Sequence, residues 1–380
     1  MSLNDRKPLK VALVCEWLVT YAGAEKVASA IMDVFPEADV FAVVDFLQAD
    51  KRDWLRGHKP HTTFLQHWPG AGKHYKSYLP VMPLAVEQLD LSGYDVVISS
   101  SHCVAKGVLT GPGQLHISYV HSPMRYAWDL THEYLKEAHL EHGLRGWLAK
   151  IILHYMRLWD TRTAYGVDCF IANSRFIAQR IRKVYGREAE VIYPPVDVDK
   201  YALCEEKSDY YLTASRIVPY KKVHLIVEAF NEMPDKKLVV IGAGPGLDDL
   251  RKIAGPNIDI LGYQPDEVMQ EKMRFARAFV FAAEEDFGIT PVEAMACGTP
   301  VIAYGRGGAL ETVTEDTGLF FYEQTAEAIK GAVRRFESSE AAFAAQACRA
   351  RAEKFSLPRF RREIKAYIDS KIAEMSGINR

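Results

Sequence analysis

A run of six apolar residues, 278–283, ends in the acidic, glycine-containing turn Glu285-Asp286-Phe287-Gly288, and a short helical pattern follows. Gly298-Thr299-Pro300 stops that helix, and Val301-Ile302-Ala303 begins the next apolar run. Strand, tight turn, helix and strand in so short a stretch fit an α/β sheet, whose strand-end turns bind ligands. Thr290 reads as the N-cap of the helix, Pro291 as its first residue and Glu293 as a capping-box glutamate. The amides of Phe287, Gly288 and Ile289 then stand at a helix start. Unpaired N–H groups and the helix dipole there favour a phosphate.

Glu285 and Glu293 bracket this anion seat with seven residues between them. Carboxylates repel a phosphate unless they face something else. One reading has them accept hydrogen bonds from hydroxyls on either side of the phosphate, as in a nucleotide-sugar. On spacing alone a plainer reading stands beside it, with Glu293 a helix cap and Glu285 a solvated loop acid.

Similar patterns recur along the 380 residues, a length that exceeds one core and predicts two domains. Residues 10–15 form a first buried strand, and Tyr21-Ala22-Gly23-Ala24-Glu25 leads into a helix, so Gly23 sits at an anion-friendly corner. Residues 60–82, rich in His, Trp, Tyr and Lys, read as a long, mobile loop for acceptor contacts. Gly70-Ala71-Gly72-Lys73 fails the spacing of a P-loop. Strands follow at 95–99 and 116–120. The second ends at His121, and a strand-end histidine in such a sheet points toward the ligand crevice more often than into the core. A neutral imidazole there suits exchange of hydrogen bonds with a sugar hydroxyl or leaving oxygen.

Residues 144–159 set Leu144, Trp147, Leu148, Ile151, Ile152, Tyr155 and Leu158 on one helical face, with Arg145, Lys150, Arg157 and Arg162 along its length. A domain helix packed on the sheet is the favoured reading, and a basic amphipathic helix lying on an anionic membrane is the alternative. Pro194-Pro195 marks a stiff exit from the first domain. Asp197-Val198-Asp199 spells a metal motif but sits at that linker, so no metal site is expected.

The second domain opens with a strand at 210–215, followed by Arg216-Ile217-Val218-Pro219-Tyr220-Lys221. An arginine and a lysine five apart at a strand-to-helix turn can both reach one diphosphate, and their charge would offset a departing one. Gly242-Ala243-Gly244-Pro245-Gly246 nearly spells a dinucleotide fingerprint, but Leu247 replaces its third glycine. Helices are expected at 325–337, 339–355 and from Pro358 to about residue 375.

Composition narrows the class. The net charge of -2 lacks the basic field of a nucleic-acid binder. The six cysteines show no CxxC pair and suit reduced, buried thiols, hence a cytoplasmic protein. The polar N-terminus gives no signal-peptide pattern, and no apolar run approaches the ~20 residues that span a bilayer.

The stretch from Glu285 to Pro300, with Gly305-Arg306-Gly307-Gly308 and Glu311 after it, resembles the glutamate-x7-glutamate element of retaining GT-B glycosyltransferases of family 4. Arg216 and Lys221 match that family's Arg-x4-Lys, and Ala22-Gly23-Ala24-Glu25 its Gly-Gly-Ala-Glu loop with the first glycine replaced. His121-Ser122-Pro123-Met124-Arg125-Tyr126 is similar to a run in the family's mannosyl- and related transferases of bacterial surface polysaccharides. The resemblance implies two doubly wound Rossmann-like domains facing a cleft, at 1–194 for the acceptor and 195–356 for the nucleotide-sugar. It also implies a helix, 357–380, crossing back to the first domain. Glu285 is then expected to contact the donor sugar and Glu293 the ribose hydroxyls. Phe287, Gly288, Ile289 and Gly244 line the donor site, Gly23 approaches the diphosphate, and His121, Arg216 and Lys221 join Glu285 in catalysis.

No metal or other cofactor is expected. The donor is expected to be GDP-mannose, with a UDP-sugar as the alternative. The acceptor is expected to be a glycan or lipid-linked glycan, with the protein cytoplasmic or peripheral at the inner face of the membrane. A GT-B sugar-nucleotide epimerase or hydrolase, and a non-catalytic nucleotide-binding protein, share the phosphate grip and stay open at this point.

Overall fold

The computed structural model describes residues 9–378. The outer ends of the expected first and last segments, 1–8 and 379–380, lie outside the described residues. The chain divides into two compact units. One runs up to Tyr193 and resumes at Phe360, and the other is Pro194–Arg359.

The first unit holds a seven-stranded sheet of β1 (Val11–Leu18), β2 (Asp39–Asp45), β3 (His61–Thr62), β4 (Val96–Ser101), β5 (Leu115–Val120), β6 (Cys169–Ala172) and β7 (Ala189–Val191). Every pairing is parallel, in the order β3-β2-β1-β4-β5-β6-β7. Parallel strands covered on both faces must be apolar throughout rather than alternating. Accordingly Ala12, Leu13, Val14, Val97, Ile98 and Ile117 are wholly buried.

The second unit repeats the plan with β8 (Tyr211–Ala214), β9 (Leu238–Ile241), β10 (Ile258–Gly262), β11 (Ala278–Phe281), β12 (Val301–Tyr304) and β13 (Gly318–Phe321). Their order is β10-β9-β8-β11-β12-β13, again all parallel. In each sheet the strand order reverses once, between β1 and β4 and between β8 and β11. Ligands bind in such sheets outside the carboxyl ends of the strands at that reversal.

The last helix, Leu357–Ile378, begins in the second unit and from Phe360 onward belongs to the first. Phe360, Ile364 and Ile368 are buried, and Phe360 meets Tyr119 of β5 edge to face at 5.9 Å. The Arg361 guanidinium pairs with Asp33.

Three local expectations change. Residues 60–82 are not a long loop: they fold into short helical turns at Phe64–His67, Ala71–His74 and Tyr75–Tyr78, pinned by Leu65 and Ala71. The helix expected from 339 is broken. A turn at Glu340–Ala342 separates it from Ala345–Glu353, because Phe343 leaves helical geometry and stacks on Phe336 at 5.4 Å. The helix Gly143–Thr163 forms, but the face read as core-facing is largely solvent-exposed. Its inward face is built instead from Met156, Trp159, Asp160 and Thr163.

Candidate functional site

In the second unit the reversal point brings together the loop after β8 and the turn after β11. Ile217, only 3% exposed, anchors the first loop, and its amide donates to the Ala243 carbonyl at 2.9 Å. With Ile217 inward, Arg216 projects into solvent. A single turn, Pro219–Lys221, then carries Lys221 to Glu285, and the two side chains form an ion pair while both are largely buried. Lys222 adopts a left-handed backbone, φ 54°, to start the helix Val223–Asn231.

The Gly242–Gly246 turn has a packing task in holding this loop. A Cβ on Gly242 would lie 1.8 Å from the Ser215 carbonyl oxygen, and one on Gly244 would lie 2.2 Å from that of Ile217. Gly244 thus lets two strand-end loops touch, and so sets where the backbone beside Arg216 runs.

After β11 the Phe287 ring is buried against Phe355, edge to face at 5.3 Å. Gly288 then takes a left-handed conformation, φ 82°, and the helix Ile289–Ala296 begins at once. The expected start at Thr290 is therefore corrected. Gly288 is the N-cap, because its positive φ turns the chain directly into the helix, and Pro291 sits at the third helical position. Glu293 lies at the fifth and is no capping-box partner; its carboxylate instead accepts from the buried Tyr201 phenol. The first-turn amides at Ile289 and Thr290 have no acceptor within their own helix. At the other end Gly298 donates to Met295 at 2.9 Å and Thr299 to Ala294 at 3.0 Å, a Schellman closure with Gly298 at φ 76°.

The loop 305–308 clamps the acidic turn. The Gly308 amide donates to the Glu285 carbonyl at 2.7 Å, and a Cβ on Gly308 would stand 2.3 Å from the Phe287 Cα. Gly308→Ala should therefore push the turn aside, costing about 1–3 kcal/mol in urea unfolding. Gly331→Ala makes an internal control. That residue is helical with nothing within 4 Å of its Cβ position, so the change should stabilise by up to ~1 kcal/mol.

In the first unit Gly23 is the first residue of the helix Gly23–Val34, directly after β1. Glu25 reaches back to accept from the Ala22 amide at 2.9 Å. Burial pushes its carboxyl above the ordinary range. At the end of β5 the His121 ring shares a hydrogen bond with the Ser100 hydroxyl at 2.8 Å, and Asn173 donates to the His121 carbonyl at 2.9 Å.

Two residues beside it were missed by the sequence reading. Glu16, buried on β1, accepts from the amides of His102 (2.9 Å), Cys103 (2.6 Å), Val104 (2.8 Å) and Ala105 (3.1 Å). That grip fixes the loop after β4 and sets His102 edge-on against Trp17 at 4.9 Å, with its ring 6.3 Å from that of His121. His102 ends a strand just as His121 does, so the same sequence argument would have found it. Glu16 left no such signal.

Burial holds these imidazoles neutral. His121 is pushed down to about 3 by desolvation, with His102 adding to the effect, and His116 on β5 to about 4, again by desolvation. His116 is fully buried between the Ser99 hydroxyl (2.9 Å) and the Gly166 carbonyl (3.1 Å). Below pH ~6.5 the unfolded chain binds protons that the folded chain refuses, so stability falls as pH drops from there toward the folded values. His116 alone should cost about 2 kcal/mol between pH 7 and pH 5. His121 keeps some surface open and contributes less. Urea unfolding at the two pH values checks this, and His116→Gln should flatten the slope even though it lowers stability overall.

Comparison with known proteins matches the description "Glycosyltransferase Family 4" to residues 23–200 and "Glycosyl transferases group 1" to residues 199–355. A Corynebacterium glutamicum GDP-mannose-dependent monoacylated alpha-(1-6)-phosphatidylinositol monomannoside mannosyltransferase is 30% identical over 184 residues, 40% of this chain and 48% of that protein. A D-inositol 3-phosphate glycosyltransferase of Mycobacteroides abscessus is 26% identical over 178 residues, 40% of each chain. The chain thus spans less than half the length of these curated relatives. Among solved structures, Anabaena HepE in complex with UDP superposes with a TM-score of 0.68 at 18% identity, covering 95% of this chain and 100% of that one. Sucrose-phosphate synthase from Thermosynechococcus elongatus gives 0.70 at 15% identity, covering 96% and 100%. Two parallel sheets of this order, and family matches that run on from one unit into the other, place the chain in glycosyltransferase family 4 with the GT-B fold.

Proposed function

We propose that the protein is a retaining hexosyltransferase whose second unit holds a nucleotide-sugar donor. The observation that carries this reading is the Lys221–Glu285 pair at the reversal point of the second sheet, beside the helix start at Ile289. A lysine, an exposed arginine and first-turn amides suit a diphosphate, while the two glutamates suit hydroxyls on either side of it. In this reading Arg216 and Lys221 neutralise the diphosphate as the glycosidic bond breaks, which stabilises the transition state without a bound metal. Binding donor transfers Lys221 from Glu285 to the phosphates and frees the carboxylate for the sugar. Glu293, steadied by Tyr201, takes the ribose hydroxyls. Phe287, Gly288 and Ile289 present backbone to sugar and phosphate, and Gly244 keeps the Arg216 loop in place.

The first unit serves the acceptor, a glycan or lipid-linked glycan of surface polysaccharide synthesis. Gly23, at the start of its helix, is read as offering an amide to the diphosphate. His121, held neutral, exchanges hydrogen bonds with a sugar hydroxyl. The acceptor hydroxyl attacks the anomeric carbon from the face the diphosphate leaves and passes its proton to the departing phosphate oxygen, so the new glycosidic bond replaces the old one with anomeric configuration retained.

GDP-mannose is the proposed donor. The run from His121 to Tyr126 supports it, and so do the names of the relatives described as GDP-mannose-dependent. Thermal unfolding with GDP, UDP, ADP, GDP-mannose and UDP-glucose tests the choice. Ligand at 100 times its dissociation constant should add about 2.7 kcal/mol. A shift selective for GDP and GDP-mannose is expected. A shift with UDP and UDP-glucose alone would replace the donor while keeping the reaction class.

A further inference from the structure

The helix Gly143–Thr163 in the first unit leaves an apolar stripe uncovered. Leu144, Trp147, Leu148, Ile151, Tyr155 and Leu158 are between 43% (Ile151) and 80% (Leu144) exposed. At ~100° per residue these six side chains fall within an arc of about 100°, and from first to last they run about 21 Å along the axis. The stripe adjoins the buried face made by Met156, Trp159 and Thr163, so the helix is seated on its unit by one side and offers the next to the surroundings. Scattered exposed apolar residues are ordinary, but a continuous row of large ones marks a docking surface.

Charge selects the occupant. Lys150, His154 and Arg157 border one edge of the stripe, and Arg145 and Arg162 lie near its two ends. Lys150 donates to the Glu141 carbonyl at 2.9 Å and Arg157 to the Ala127 carbonyl at 2.9 Å, neutral acceptors that leave both charges uncancelled. Arg162 pairs with Glu87. The single acid of the helix, Asp160, is fully buried against Lys106, and the nearest exposed acids before it, Glu137 and Glu141, precede the helix. A second copy docking by the same patch would set these cations against their equivalents, with no exposed acid on the helix to receive them. An anionic lipid surface meets both features at once. Leucines and isoleucine enter the acyl boundary, Trp147 and Tyr155 sit at headgroup level, and the basic edge faces lipid phosphates.

We propose that this helix seats the first unit on an anionic membrane, lying in the interface and not crossing it. Among the described residues no helix is long and apolar enough to span a bilayer. A surface seat is what remains for a stripe of this kind.

Sedimentation of the protein with phosphatidylcholine vesicles, with and without phosphatidylglycerol, tests the proposal. The protein should pellet with the mixed vesicles and at least about tenfold less with pure phosphatidylcholine, and added salt should release it. Trp147→Glu with Ile151→Glu should abolish pelleting, and Lys150→Glu with Arg157→Glu should weaken it at least about tenfold. Both pairs alter solvent-facing side chains, and an unchanged melting temperature verifies the fold. Equal pelleting with both vesicle types, or no effect of the Trp147 and Ile151 changes, would overturn the assignment. A dimer in sedimentation velocity that Trp147→Glu disperses, with no vesicle binding, would assign the stripe to a second copy.

Discussion

Replacing Glu285 by Gln is expected to lower donor turnover, read as release of the nucleoside diphosphate, by about 10²–10³-fold while leaving the fold intact. The carboxylate pairs with Lys221 beside the helix start at Ile289. Gln keeps the shape and loses the charge, so Lys221 loses its ionic partner and, in the proposed reading, a donor sugar loses a charged acceptor. The pair sits on loops and not in the sheet core, but both side chains are largely buried, so loss of the ionic partner should cost about 1–3 kcal/mol in urea unfolding while the chain stays folded. Lys221→Ala differs in kind. It should raise the donor KM as well as lower kcat, because the lysine is read as gripping the diphosphate both before and during bond cleavage. A Glu285→Gln enzyme with full turnover would leave the glutamate a loop acid with no part in the reaction.

The largest effect on stability is expected deep in the first unit. Lys106 and Asp160 are 2% and 0% exposed and pair at 2.8 Å. The ammonium also donates to the Asp160 carbonyl and the Thr163 hydroxyl, both at 2.7 Å. The carboxylate accepts from the Trp128 indole at 2.8 Å and the Tyr185 phenol at 3.1 Å. Each donor of the lysine has an acceptor, and that is what makes so buried a charge tolerable. Asp160→Ala strips the partner from a buried cation and should cost about 3–5 kcal/mol in urea unfolding. Combining it with Lys106→Met removes the stranded charge and should recover a large part of that loss. A double variant as unstable as the sum of its singles would mean that packing, and not charge, dominates the cluster.

The fold was legible wherever pattern and burial agree. Parallel strands buried on both faces are continuous apolar runs, and residues such as 10–15 and 278–283 announce them without ambiguity. Turn chemistry was readable to within a residue or two. Gly298 closes its helix as expected, whereas the start of the same helix was misplaced because Gly288, not Thr290, supplies the bend. Pairings that depend on distant chain were not readable. Nothing in the spacing puts Glu16 under the amides of 102–105, or Tyr201 on Glu293.

The helix Gly143–Thr163 shows most plainly where pattern fails. An apolar stripe is normally the core face, and here the core face carries Asp160, made acceptable by Lys106 more than fifty residues earlier. Lacking that partner, a sequence reading turns the helix the wrong way. Lys221 and Glu285 sit on loops that the strand order alone makes neighbours, so spacing could name them but not join them.

The central claim is that a nucleoside diphosphate sugar is held at the reversal point of the second sheet. Calorimetric titration of GDP-mannose and UDP-glucose into the intact protein, and into the Arg216→Ala, Lys221→Ala double variant, tests it most directly. The account predicts binding of one of the two donors to the intact protein and a loss of at least about a hundredfold in affinity in the double variant, with the melting temperature of the free protein held. A double variant that binds the same donor as tightly as the intact protein, or an intact protein that binds neither, would contradict it.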